Sequence, residues 1–310
     1  MGFKYVNPGY PWAYGMADTE VMTDNTKNPI NGVCPKITNS AYDSGIIQPF
    51  TLPFPSECEE IWAKTGVYLQ TVSTGDMFFG IGTQRSNLYG FYCYDANAGG
   101  KKGVLGGNDT TYTNGFADVG VARYSYHEVL IHSKNGQNGF CRVFWDGVLR
   151  GDFHASVSWK AHSIAFSQTY KCWTICNTII SDTEITPSEQ VYIVSKKTPT
   201  QTMSSTTVDS VNYCVATSDG QQYETTLDVS SLTSKIKTNN IKVTSLGVTS
   251  KPAYREGDDL IHLASTQDGT EKEVVEVSTN KSSGYIHSAW DVDMNYSELS
   301  TTKVGLKAKT

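Results

Sequence analysis

Between residues 45 and 186 the chain alternates short apolar and aromatic runs with clusters of Gly, Asn and Asp. The runs are rich in Val, Ile, Phe, Tyr, Trp and Thr, which suit a pleated, half-buried surface. They predict strands at 46–54, 61–72, 76–83, 88–95, 121–133, 139–145, 148–153, 156–167 and 171–181. Phe140 to Trp145 alternates in part, and Asp146-Gly147 separates it from Val148-Leu149-Arg150. A type I′ turn needs positive φ at both central residues, so Asp-Gly between two strands predicts a hairpin. Asn135-Gly136 and Asn138-Gly139 predict another turn just upstream. Short strands at this spacing predict a sandwich or jelly roll.

The flanks differ. In residues 1–44, Pro8, Pro11, Pro29 and Pro35 interrupt the chain and no period persists. Tyr5, Tyr10, Trp12 and Tyr14 are frequent for a solvated tail. They fit either a packed extension or an arm that docks on a neighbouring subunit or particle. Residues 187–310 open at Pro187, with strands expected at 190–195, 211–217, 221–227, 240–249, 258–265, 272–279, 284–290 and 302–308. Ser231 to Lys237 fits a short helix. The pattern therefore predicts an all-β chain: an arm (1–44), a sandwich (45–186) and a smaller β-domain (187–310).

Composition narrows the function. The 310 residues carry 18% charged side chains and net charge −6, with 27 Gly and 18 Tyr. Heptads are absent, which excludes a coiled-coil stalk. No basic run offers the phosphate contacts of a nucleic-acid binder. No apolar stretch reaches the roughly 18 residues needed for membrane insertion. Met1 to Trp12 does not read as a signal peptide, so action outside a cell is expected to follow lysis or assembly into a particle. Seven irregularly spaced cysteines predict buried free thiols and folding in a reducing cytoplasm.

Several groupings invite chemistry. His127 and His132 are five apart, which on a strand places them on opposite faces and argues against a shared zinc. Glu57 and Glu59 alternate like glycosidase acids, but Ile61 stands where a third acid is needed. Asp291, Asp293, Asn295 and Glu298 begin like a calcium loop, but Tyr296 replaces the required Gly, and a turn between strands is expected. The glycine-rich run 99–107 lacks the P-loop spacing and is expected to be a mobile loop. No cofactor, metal site or catalytic residue is expected. Tyr92 and Tyr94 fall on one side of a strand, opposite Tyr89, Phe91 and Cys93. With Asp95 and Asn97 they form a candidate carbohydrate patch, since aromatic faces stack on sugar rings.

The blocks Tyr126-His127-Glu128-Val129-Leu130-Ile131-His132 and Cys141-Arg142-Val143-Phe144-Trp145-Asp146-Gly147-Val148-Leu149-Arg150-Gly151 resemble the concanavalin A-like (laminin-G-like) jelly roll. Ile175 to Ile185 resembles its closing strand as found in bacteriophage and prophage virion proteins. Ala289 to Tyr296, with Leu299 and Val304 to Lys309, is similar to the C-terminus of phage tail and fibre-associated proteins. The resemblance implies a non-enzymatic virion protein, of tail, fibre or capsid-decorating type, assembled in the host cytoplasm. It would dock through Tyr5, Tyr10, Trp12 and Tyr14, form a homo-oligomer with other virion proteins as partners, and contact host surface polysaccharide. The alternatives are a free lectin-like carbohydrate-binding protein and a glycan-cleaving enzyme. A lectin-like fold does not by itself establish lectin function.

Overall fold

The computed structural model describes residues 2–10, 19–37, 49–69, 77–83, 88–95, 101–106, 124–154, 157–159, 161–167, 173–208, 211–233, 241–251, 260–278 and 285–309. The chain divides into two compact units, residues 1–191 and 192–310.

The first unit contains β1 (Lys4–Asn7), β2 (Thr19–Thr23), β3 (Val33–Ile37), β4 (Pro49–Pro53), β5 (Glu60–Leu69), β6 (Met77–Ile81) and β7 (Tyr89–Asp95). It continues with β8 (Lys101–Gly106), β9 (Ser125–Lys134), β10 (Phe140–Trp145), β11 (Val148–His154), β12 (Ser163–Ser167) and β13 (Trp173–Ser181). One sheet has six strands in the order β1-β13-β5-β9-β10-β11, and the other has five, β4-β12-β6-β7-β8. Neighbours in both sheets are antiparallel, and the two sheets share one core as a β-sandwich.

The core follows from the period-2 pattern. In β5 the odd positions Ile61, Ala63, Thr65 and Val67 are solvent-inaccessible. They meet Val129, Ile131 and Val143 of the same sheet and Phe79, Ile81, Phe91, Ile164 and Phe166 of the other. Each such fully buried aliphatic or aromatic side chain contributes about 1.5–3 kcal/mol. Thr65 satisfies its hydroxyl at 2.8 Å from the Thr178 hydroxyl. The even positions Glu60, Trp62 and Lys64 point to the opposite face.

The hairpin between β10 and β11 has φ +50° at Asp146 and +78° at Gly147, as the type I′ reading requires. Beyond it the register slips: Phe144 faces Leu149, but Val143 faces Gly151. Arg150 is the extra residue of a β-bulge.

Four expectations narrow or change on the structure. First, of the two readings of the N-terminal 44 residues, the described part fits the packed extension and lies within the sandwich unit. β1 is the edge strand beside β13, and Tyr5 lies in the core. β2 and β3 form a hairpin whose loop residue Asn28, fully buried, exchanges side-chain hydrogen bonds with Asn177 of β13. Second, residues 187–191, assigned to the C-terminal domain because composition changes at Pro187, lie within the first unit. Ile185 and Val191 pack there with Leu130 and Ile179. Third, part of the glycine-rich run is a strand. β8 closes the edge of the five-stranded sheet beside β7, a position where glycine is tolerated. Fourth, two of the calcium-like residues, Asn295 and Glu298, serve a helix described with the second unit, while Asp291 and Asp293 lie on a strand.

The second unit contains β14 (Ser195–Gln201), β15 (Ser204–Val208), β16 (Val211–Val215), β17 (Gln222–Asp228), α1 (Ser230–Thr233), β18 (Lys242–Ser250) and β19 (Leu260–Gln267). It ends with β20 (Thr270–Ser278), β21 (Ile286–Asn295), α2 (Tyr296–Thr301) and β22 (Lys303–Lys309). A five-stranded sheet, β14-β17-β22-β19-β20, and the β18-β21 ladder enclose Leu227, Leu246, Trp290, Leu299 and Val304. Asn295 caps α2: its side chain accepts from the Ser297 and Glu298 amides, and Glu298 accepts from the Asn295 amide at 2.8 Å. The expected turn is therefore a capping box. The expected helix 231–237 is described only as the single turn α1, and 234–240 lie outside the described residues.

Cys34, Cys58, Cys141 and Cys176 are buried free thiols, whereas Cys214 is exposed. Burial pushes Cys34 up to about 11 and Cys141 up to about 12, so neither is a thiolate at neutral pH.

Candidate functional site

The six-stranded sheet has a second face, built from the even positions of β5, β9 and β10. Half of it is covered. Residues 183–191 cross it as a strap, packing Ile185 and Val191 with Val6, Trp62, Leu130, Phe144 and Ile179. Lys64 holds the strap from beneath. Its side chain is 3% exposed and its Nζ donates to the carbonyls of Pro187 and Glu189, and it pairs with Glu128 at 3.0 Å. Gln190 donates to Glu128 at 2.7 Å and so ties the strap a second time.

The other half carries two cross-strand rows, with Trp62 at its border also packed against the strap cluster. Glu60, Lys134, Phe140 and His154 form one; Trp62, His132, Arg142 and Asp152 form the other. The rings run in series across the sheet. Trp62 and His132 stack with centroids 4.2 Å apart, and Phe140 meets His132 edge-on at 4.7 Å. The Arg142 guanidinium sits 4.5 Å above the Phe140 ring. Such cation–ring contacts contribute about 0.5–1 kcal/mol on a surface.

Acids bracket the aromatic series. Glu60 lies 2.8 Å from His132 Nε2 and 3.3 Å from Lys134 Nζ. Asp152 lies 3.2 Å from Arg142 Nε and 2.7 Å from His154 Nε2. Burial alone would raise the Glu60 carboxyl, but hydrogen bonds from His132 and Lys134 outweigh it and hold the group below its ordinary value. Asp152 is likewise lowered: partial burial opposes the shift, but His154 and Arg142 prevail. Burial lowers His132 despite Glu60, so the ring is neutral at pH 7 and donates its Nε2–H to the carboxylate.

Arg142 and Asp152 are each 35% exposed and His154 is 58% exposed. Surface pairs of this kind contribute only about 0–1 kcal/mol to stability. What the arrangement supplies is a row of aromatic edges flanked by fixed donors and acceptors. This combination suits a hydroxyl-rich ring, which offers apolar C–H area beside polar groups.

The residues expected from sequence fall elsewhere. Tyr92, Tyr94 and Asp95 lie on β7 of the five-stranded sheet, at backbone positions opposite Val104, Lys102 and Lys101. Their side chains, and all of Asn97, are outside the described residues, as are Trp12 and Tyr14. Tyr5 is in the core at 8% exposure, and Tyr10 is half-buried with its backbone amide bonded to Asn7 Oδ1. Glu57 is exposed, and Glu59 accepts from Asn135 Nδ2 at 2.9 Å. His127 and His132 do take opposite faces: one ring lies against core Trp145, the other against outward Trp62.

No protein-family model and no curated protein matches the sequence. Among solved structures the chain is similar to the alginate lyase Aly36B, at 13% identity and TM-score 0.32 over 44% of this chain and 76% of that one. It is similar to the Caenorhabditis elegans galectin LEC-6, at 9% identity and TM-score 0.30 over 43% and 90%. It is also similar to the carbohydrate recognition domain of Emp46p, at 9% identity and TM-score 0.28 over 46% and 81%.

Proposed function

We propose that the chain is a glycan-contacting protein that binds surface polysaccharide, without cleaving it there, through the part of its six-stranded sheet beside the strap. The observation that carries this reading is the continuous series Trp62–His132–Phe140–Arg142, flanked by Glu60 and Asp152. Binding without cleavage at this face is supported by the state of its acids. A glycosidic general acid needs a raised pKa, and both Glu60 and Asp152 are lowered.

The setting proposed for this activity is a phage virion, in which the protein would be assembled as an oligomer with other virion proteins. That part rests on the sequence resemblance of residues 126–151, 175–185 and the C-terminal stretch. The binding reading is tested on a polysaccharide array with the wild type and a Trp62→Ala/Arg142→Ala variant. Binding confined to the wild type supports it; release of cleaved or unsaturated products from any bound polysaccharide overturns the claim that this face binds without cleaving. Proteomic digestion of purified particles tests the setting.

A further inference from the structure

At the opposite end of β9 from the Trp62 face, three side chains form a hydrogen-bonded chain. Ser125 Oγ lies 2.8 Å from His127 Nε2, and His127 Nδ1 lies 2.7 Å from Asp146 Oδ2. Ser125 and His127 are two apart on β9 and therefore on the same side of the sheet. Asp146 arrives from the β10–β11 turn. Its second oxygen accepts the Glu128 amide at 2.9 Å, and its own amide donates to the Glu128 carbonyl at 2.9 Å. The carboxylate is thereby fixed in position and direction.

We infer that Ser125, His127 and Asp146 constitute a nucleophilic acyl-transfer site that hydrolyses carboxylic esters. The roles follow from hydrogen-bond chemistry. An ionised carboxylate only accepts, so His127 Nδ1 carries the ring proton. In the neutral ring Nε2 then has a free lone pair, and it faces the Ser125 hydroxyl. Hydrogen bonds from His127 and the Glu128 amide keep Asp146 ionised against the opposing effect of burial.

In the first step Ser125 Oγ bonds to the ester carbonyl carbon while its proton passes to His127 Nε2. The tetrahedral adduct collapses, the carbon–alkoxide bond breaks, and the alkoxide leaves with the proton from Nε2. Water then attacks the acyl carbon and gives a proton to Nε2; the carbon–Oγ bond breaks, Oγ takes that proton back from Nε2, and the carboxylic acid leaves with Ser125 restored. Asp146 is a positioning residue: it selects the tautomer and stabilises the imidazolium. The His127 ring is itself backed by the core. Behind His127 the space is filled by Trp145, 4.7 Å ring to ring and 4% exposed, stacked at 5.0 Å on Phe91. The site is on the other face of the sheet from the glycan reading and does not depend on it.

Asp146→Asn is the informative variant. Asn tolerates the positive φ of this turn position and can still accept the Glu128 amide, so the hairpin persists. Its amide group, however, would donate to Nδ1 and force the proton onto Nε2, which disables the base. The experiment follows p-nitrophenyl acetate hydrolysis by the full chain and maps labelling by a fluorophosphonate probe with peptide mass spectrometry. The expected result is a label on Ser125, kcat reduced roughly a thousandfold in Ser125→Ala and His127→Ala, and a large loss of kcat with little change in KM in Asp146→Asn. Circular dichroism and melting temperature should match the wild type. An unlabelled Ser125, or hydrolysis by Ser125→Ala or by folded Asp146→Asn at the wild-type rate, would overturn the inference.

Discussion

Trp62 and His132 face each other across β5 and β9 with ring centroids 4.2 Å apart and planes only 14° from parallel. The stack joins the two halves of the outward face. Trp62 also packs with the strap cluster, and His132 also meets Phe140. Removing either ring should therefore disturb ligand contact more than stability. Trp62→Ala is expected to cost about 1–2 kcal/mol of folding free energy, because the side chain is only half-buried. It should reduce polysaccharide affinity at least tenfold. Calorimetric titration beside urea unfolding separates the two effects.

The same pair gives a pH dependence. The folded-state pKa of His132 is lowered, so the unfolded chain binds more protons as pH falls below about 6.5. Stability is then lost with acidification through the window between the unfolded and folded values. Glu60 acts in the same direction at lower pH: its contribution is present above the ordinary carboxyl value and is lost as pH falls through the lowered one. A His132→Phe variant should lose the higher-pH part of this acid limb. An NMR titration should find the His132 midpoint below 6.5.

Lys64 predicts the strength of the strap. Its Nζ has three partners, Glu128 and the carbonyls of Pro187 and Glu189, in a site of 3% exposure. Lys64→Met leaves those acceptors unmatched and should destabilise the first unit by about 3–5 kcal/mol. Limited proteolysis should then cut within residues 183–191 before the sheet unfolds.

Asn177 carries two functions that substitution can separate. Its φ is +53° and its amide pairs reciprocally with Asn28 at 3.2 and 2.8 Å. Asn177→Gly keeps the backbone but loses the pair; Asn177→Ala loses both. Melting curves should rank wild type above Gly and Gly above Ala. Asn28→Ala should cost about 1–3 kcal/mol for each buried partner left unsatisfied.

The sandwich was legible because its inner strands repeat a period-2 pattern and its hairpin carries Asp146-Gly147. The outward site was not, and the reason is local. A flush two-residue hairpin would place Val143 opposite Arg150 and Arg142 opposite Gly151. The bulge at Arg150 shifts the pairing by one, so that Arg142 meets Asp152 and Phe140 meets His154. Nothing in the side-chain pattern of 148–154 marks that extra residue. Trp62 carried a usable signal, since an aromatic at an even β5 position cannot join a core built from the odd ones. The packing of the N-terminal segment was hidden because its prolines break strand periodicity, while what anchors it is distant in sequence: the β1–β13 pairing, Tyr5 in the core, and the buried amide pair Asn28 with Asn177. Asn295 and Glu298 held a capping-box spacing that the neighbouring acids made resemble a cation loop.

The central claim is that the outward face beside the strap binds polysaccharide. Its most direct test is one titration series against a polysaccharide that the wild type binds. The series compares wild type, Trp62→Ala/Arg142→Ala, and Tyr92→Ala/Tyr94→Ala, the last altering the other sheet. The account predicts that binding is abolished in the first variant and kept in the second. Binding that survives loss of Trp62 and Arg142 but disappears with Tyr92 and Tyr94 would contradict it.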